Sequence, residues 1–178
     1  VIAAHIITSL QSVVSRNTDP FESTVISVTK MQGGNAHNVI PDEAMLGGTI
    51  RTLKPELRDF AQTRLRQIAE GISKAHGAEA KVSLFPGYPV TVNHPRQTAA
   101  AIDVAIDIAG SAQVDGETTP TMGGEDFAYM LNARPGIFIG NGDTAGLHNP
   151  NYDFNDEIIP YGVSYWVKLA ETRLSQIA

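Results

Sequence analysis

Between Pro55 and Gly77 the apolar residues Leu57, Phe60, Ala61, Leu65, Ile68, Ala69 and Ile72 recur at three- and four-residue steps, and this stripe constrains the fold more than any other feature. Such spacing lays one continuous apolar face along an α-helix. Pro55 falls where a first-turn proline is tolerated, because that N–H has no helical partner, and Gly77 supplies the stop. A helix with one apolar face must be covered by another layer. The flanking sequence provides it. Residues 23–31 carry Val25, Ile26 and Val28 in a strand-forming run, and after Gly33, Gly34, Asn35 and the Pro41-Asp42 step a second strand is predicted over 44–53. These two are expected to pair antiparallel. Residues 79–85 alternate again, with Val82 and Leu84 apolar, until Pro86-Gly87 and Pro89 break the run. Ahead of all these, Ala3, Ile6, Ile7, Leu10, Val13 and Val14 spell out a first helix.

The predicted order is therefore helix, strand, strand, helix, strand. It matches a split βαβ unit of the ferredoxin-like kind with its first strand absent. In that topology the absent strand lies inside the sheet, so the last strand is expected to lack a neighbour and leave backbone unpaired. The first helix is already running at Val1, with no Ser, Thr, Asp or Asn ahead of it as a cap, as in a chain cut inside an element. Around Asn93–Pro95 the composition turns to loop. A second region then offers an Ala-rich helix over 97–109, Gly-rich loops, a short apolar strand over 136–140 and a last helix over 163–176. The expected class is α/β of the α+β kind, with one domain over 1–95 and another over 96–178. No internal repeat or low-complexity tract appears.

Composition narrows the function. With 178 residues, 42% of them hydrophobic, the chain can bury a core for one or two domains. Thirteen basic residues against nineteen acidic give a net charge of −6, and no run of Lys or Arg is present to neutralise phosphates. Nucleic acid and anionic membrane are not expected partners. The absence of cysteine removes disulfides and thiolate metal ligands within this sequence and fits a cytoplasmic setting. No apolar stretch approaches the ~18 residues of a membrane span.

Three clusters carry candidate chemistry. In the first, Asn38 of Gly33-Gly34-Asn35-Ala36-His37-Asn38-Val39-Ile40-Pro41 precedes Arg51 of Gly48-Thr49-Ile50-Arg51. An amide and a guanidinium on one hairpin suit a carboxylate ligand. The plainer reading has Asn38 bonding its own backbone and Arg51 pairing with Glu43 or Asp42. In the second, Gly123-Gly124-Glu125-Asp126-Phe127 enters a short helix. Glycines there allow close backbone approach to an anion, while Glu125 and Asp126 equally suit a helix start. In the third, His148 stands in the loop Gly146-Leu147-His148-Asn149-Pro150, followed by Asp153, Asp156 and Glu157. A loop imidazole with carboxylates nearby is either a metal ligand or simply solvated.

Taken in order, Asn38-Val39-Ile40-Pro41, Gly48-Thr49-Ile50-Arg51, Met122-Gly123-Gly124-Glu125-Asp126-Phe127, and Leu147-His148 with Tyr152-Asp153-Phe154-Asn155-Asp156 resemble the M20 peptidases. The likeness is to the branch with hippurate hydrolases, auxin-conjugate hydrolases and N-acyl amino acid amidohydrolases. Ser15-Arg16-Asn17 with Asp19-Pro20, and Gly87-Tyr88-Pro89 with Asn93, also look like that branch. The resemblance implies a zinc-peptidase-like α/β catalytic domain interrupted by a smaller ferredoxin-like lid domain that commonly dimerises. Residues 1–95 would be a partial lid and 96–178 the returning part of the catalytic domain. It further implies that Asn38 and Arg51 hold the carboxylate end of a small N-acyl amino acid or peptide substrate. Gly123 and Gly124 would lie near that substrate, and His148 would ligate one of two divalent metals, Zn or Mn. The family's other ligands and its general-base glutamate belong to a region this sequence does not contain. The expectation is an amide hydrolase as parent, an incomplete metal site here, and no activity from this chain alone. The competing expectation is a non-catalytic lid-like module that dimerises or binds an anion.

Overall fold

The computed structural model describes residues 1–133 and 155–174. The chain divides into two compact units, one made of Val1–Val90 with Met122–Gly124, the other of Thr91–Thr121 and Glu125–Ala178. The first unit thus ends a few residues before the shift in composition at Asn93–Pro95, and it takes in three residues from far along the chain.

In the first unit, helix α1 (Ile2–Ser12) runs into a wide π-helical turn at Val13–Asn17, closed by the Thr18 hydroxyl donating to the Val13 carbonyl at 3.0 Å. Strands β1 (Thr24–Gln32) and β2 (Met45–Thr52) pair antiparallel, and helix α2 (Pro55–Ala75) follows, with Gly77 in the left-handed region at φ 71°. The two apolar stripes meet over one face of the hairpin. Ile6 and Leu10 of α1 pack with Ala69 of α2, Val28 of β1 and Leu46 of β2. A second cluster joins Val13, Ile26 and Ala61, with Ile50, Leu65 and Ile68 against it. Val13 is fully buried whereas Val14 is exposed, because the next helical residue points about 100° away. Phe60, also part of its stripe, remains partly in solvent.

The hairpin register sets Thr24 opposite Thr52, Val25 opposite Arg51 and Gln32 opposite Met45, with an irregularity between Val28 and Lys30. Gly48, opposite Val28, sits at that irregularity. A Cβ there would overlap the carbonyl oxygen of Ser27, so the strands approach at this point only because position 48 has no side chain.

Residues 79–85 do not form the expected third strand. The sheet among the described residues has two strands, β1 and β2. The burial alternation is nevertheless present: Ala80 and Val82 pack against the Ile6, Leu10 and Ala69 cluster while Lys81 and Ser83 stay exposed. What the segment lacks is a hydrogen-bonded neighbour, and a sequence pattern cannot supply one.

An exposed ion pair ties the start of α2 to the approach to β1, with the Lys54 ammonium donating to the Glu22 carboxylate. Its hydrogen bond to Glu22, then the charge of that carboxylate, raises the Lys54 pKa above its ordinary value. With the Glu22 carboxylate ionised, a raised pKa means that this contribution to stability is present below the ordinary lysine range and is lost as pH climbs through the raised pKa. Solvent screening keeps it small.

In the second unit, helix α3 (Pro95–Ala109) ends at Gly110, φ 82°, and packs through Ala101 and Val104 on Tyr165 of helix α5 (Ile159–Leu174). Helix α4 (Phe127–Ala133) is short and buries Ala128 and Leu131. Helix α5 starts four residues earlier than the sequence pattern indicated. The Asn155 side chain accepts from the Glu157 N–H at 3.0 Å, opening a 3-10 turn at Asp156–Ile158, and Pro160 then occupies a first-turn position where its missing N–H does no harm. The other side of α5 carries exposed Val163, Trp166 and Val167, with the Trp166 ring edge-on to Tyr165 at 5.3 Å between centroids. The strand expected over 136–140 lies outside the described residues.

The Tyr165 hydroxyl is buried without a hydrogen-bond partner among the described residues, and desolvation raises its pKa. Tyr165→Phe is therefore expected to leave the chain as stable or to stabilise it by up to ~1 kcal/mol, because an unsatisfied polar atom is removed at almost constant volume. A drop in thermal midpoint for the Phe variant would show that the hydroxyl has a partner after all.

Candidate functional site

Three sequence-distant pieces of the first unit converge on Arg51. Along β2, Leu46 and Ile50 turn toward the helices, so the period of two sends Arg51 to the opposite, exposed face. There its Nη1 donates to the Met122 carbonyl at 3.2 Å. A Cβ on Gly124 would lie 3.4 Å from that same Nη1 and 3.5 Å from Cδ2 of Tyr88. A guanidinium and an aromatic ring thus both lie against the position that a side chain at 124 would occupy. One neutral carbonyl satisfies one of the five guanidinium donors, and no carboxylate pairs with Arg51 among the described residues. Its charge is left open to an anion.

The plainer pairing of Arg51 with Glu43 or Asp42 is not seen, and the register explains why. Those acids sit before Met45, and the strand from Met45 to Arg51 spans about 20 Å at the usual rise per residue. The same arithmetic separates Arg51 from Asn38. Gly33 lies against Ala44 and Gly34 against Pro41, so the loop continues the hairpin outward and carries Asn38 at its far end, exposed. Residues 33–37, Val39 and Pro41 line a shallow cup there. Arg51 and Gly124 are brought together; Asn38 stands apart from them.

At the start of α4 the acidic residues serve the helix. Glu125 accepts from the Phe127 N–H through its carboxylate at 3.4 Å and from the Ala128 N–H through its carbonyl, and the Asp126 carbonyl accepts from Tyr129 N–H. Gly123 and Gly124 instead supply exposed backbone beside Arg51. Tyr88 was visible in the sequence only as part of Gly87-Tyr88-Pro89; its place beside Gly124 depends on contacts far apart in the chain. His148 lies outside the described residues. Among those described, no group of three or more His, Cys, Asp or Glu side chains is placed to hold a metal ion, and no helix is long and apolar enough to cross a membrane.

This arrangement sits in a chain that belongs to peptidase family M20/M25/M40, whose family model matches residues 2–172. The relatives are amidohydrolases and deacetylases. The chain is 37% identical to the N-acetylcysteine deacetylase of Bacillus subtilis (strain 168), over 98% of its own length and 46% of the relative's. It is 34% identical to the hippurate hydrolase of Campylobacter jejuni, over 94% of its own length and 44% of the relative's. Among solved structures it resembles the Bacillus subtilis YxeP protein, described as a dinuclear metal-binding peptidase of the M20 family. The TM-score is 0.76 at 34% identity, covering 98% of this chain and 45% of that one. The chain spans somewhat less than half the length of these relatives.

Proposed function

We propose that this chain is the lid and the returning catalytic segment of a metal-dependent amidohydrolase that cleaves the amide bond of N-acyl amino acids or small peptides, and that it is inactive by itself. The observation that carries the reading is the open Arg51 guanidinium set against the Gly124 backbone and the Tyr88 ring. In the assembled enzyme Arg51 holds the substrate's carboxylate end, the Gly123-Gly124 backbone lets the substrate approach closely, and the Tyr88 ring walls one side. Asn38 is assigned a substrate contact of its own at the other end of the hairpin. The lid is ferredoxin-like, serves a homodimer, and works in the cytoplasm.

A divalent metal pair, Zn or Mn, would supply Lewis acidity and an activated water. The described residues do not furnish such a centre. From this chain His148 is proposed to reach the metal.

Two measurements test the reading. The purified 178-residue chain is expected to hydrolyse no N-acetyl amino acid with Zn or Mn added, while a protein extended to the length of the relatives does so metal-dependently. Under limiting metal, His148→Ala in the extended protein is expected to lower bound metal by elemental analysis. Hydrolysis by the chain with no other polypeptide detected by mass spectrometry would overturn the inactivity. Equal metal content in both proteins would remove His148 from the site.

A further inference from the structure

We infer that His5 of α1 and His76 at the end of α2 are the two protein ligands of a binding site for a divalent transition metal of the zinc kind. Neither residue is among the substrate and metal positions assigned above, and the inference does not rest on the hydrolytic reading. The two imidazoles come from opposite ends of the first unit's sequence, yet their ring centroids lie 5.3 Å apart with 12° between the planes. Both side chains are exposed, so burial of apolar surface does not account for the contact. No side-chain hydrogen bond or ion pair engages either ring among the described residues. A neutral imidazole keeps one nitrogen lone pair for a metal, and here two such donors stand open side by side.

The backbone holds both residues in place. His5 donates its N–H to the Val1 carbonyl at 3.1 Å within α1, and its neighbour Ile6 is buried against Leu10 and Ala69. His76 closes α2, its N–H shared between the Ile72 and Ser73 carbonyls at 3.2 and 3.1 Å. Gly77 at φ 71° then turns the chain, and the Ala78 N–H returns to the Ser73 carbonyl at 2.8 Å. Ile2 and Ile72, each one turn from a histidine, pack on the same core cluster. The two helices are therefore joined by apolar contacts where the imidazoles meet, and rigid elements of this kind preorganise ligand positions.

The spacing fits one shared ion. With Zn–N bonds of about 2.0–2.1 Å, two imidazoles bound tetrahedrally to the same metal have centroids about 5 Å apart. The near-parallel planes do not aim both nitrogens at one point, so the rings must turn about their Cβ–Cγ bonds to share an ion, which their exposure permits. No third His, Cys, Asp or Glu joins them among the described residues, and water completes the coordination shell. Imidazole donors select zinc, copper and nickel over calcium and magnesium. Such an ion clips the start of α1 to the end of α2.

Calorimetric titration of the 178-residue chain with zinc tests the site, in a His148→Ala background so that the metal ligand proposed above does not contribute. One zinc is expected to bind, with the thermal midpoint rising on its addition and falling back with EDTA. His5→Gln and His76→Gln should each weaken that binding by ~30-fold or more, and the double variant scarcely further, because a lone imidazole holds zinc poorly. Full affinity in either single variant, or losses that add in the double variant, overturns the shared ion. No zinc uptake at ~1 mM overturns it as well. Doubling of the mass in light scattering on zinc addition would assign the metal to a bridge between copies and equally overturn the clip.

Discussion

Gly48→Ala is expected to destabilise the chain by about 2–3 kcal/mol or more, the range for forcing atoms into a packed backbone contact. The new Cβ would overlap the Ser27 carbonyl oxygen and lie 2.9 Å from the Ser27 carbonyl carbon and 3.0 Å from Val28 Cα. All three are backbone atoms of the paired strand, so no side chain can swing aside. Relief requires β1 and β2 to separate where Val28 and Leu46 join the core cluster. Gly47→Ala is the control. Its nearest neighbour would be Lys30 Cβ at 3.5 Å, an ordinary contact, and an alanine in place of a strand glycine is close to neutral. Urea unfolding followed by far-UV circular dichroism checks both; equal midpoints for the two variants would mean that Gly48 is not needed for the strands to meet.

The second large effect concerns recognition. Arg51→Ala, made in the assembled enzyme, is expected to lower kcat/KM for substrates with a free carboxylate by about 30-fold, corresponding to ~2 kcal/mol for a lost charge-assisted contact. Substrates with that carboxylate amidated should lose much less. Arg51→Lys is expected to recover little, since a single ammonium cannot reproduce the two parallel donors of a guanidinium. If both substrate types lose activity equally, Arg51 serves to hold the Met122 carbonyl and has no role in recognition.

What could be read from sequence divides along the range of the interactions. The stripe from Leu57 to Ile72 was legible because helical period is local, and so was the pairing of β1 with β2 around the turn residues. The strand pattern of 79–85 was equally legible, but a strand exists only with a neighbour, and pairing is not encoded in the segment itself. The length of the Gly33–Ala44 loop was visible, yet not its continuation of the hairpin outward, which carries Asn38 away from Arg51. Gly48 entered as one letter of Gly-Thr-Ile-Arg; its close approach to Ser27 emerges only once the register is known. Arg51 was weighed against acids nearby in sequence, whereas its contact is a carbonyl 71 residues on. The expectation for His148 came from family likeness alone, and that residue lies outside the described ones.

The position of Trp166 decides how these variants can be followed. It is the chain's single tryptophan, exposed on α5 in the second unit. Indole emission therefore originates wholly from that unit, and the first unit, with Gly48 and Arg51, contributes no tryptophan signal of its own. A fluorescence melt would register loss of the Tyr165–Trp166 packing while reporting nothing directly about the hairpin. Spectroscopically the two halves of this chain are separable without labelling: the tryptophan emission belongs to one, and a tryptophan introduced at Phe60 would give the other a reporter on α2.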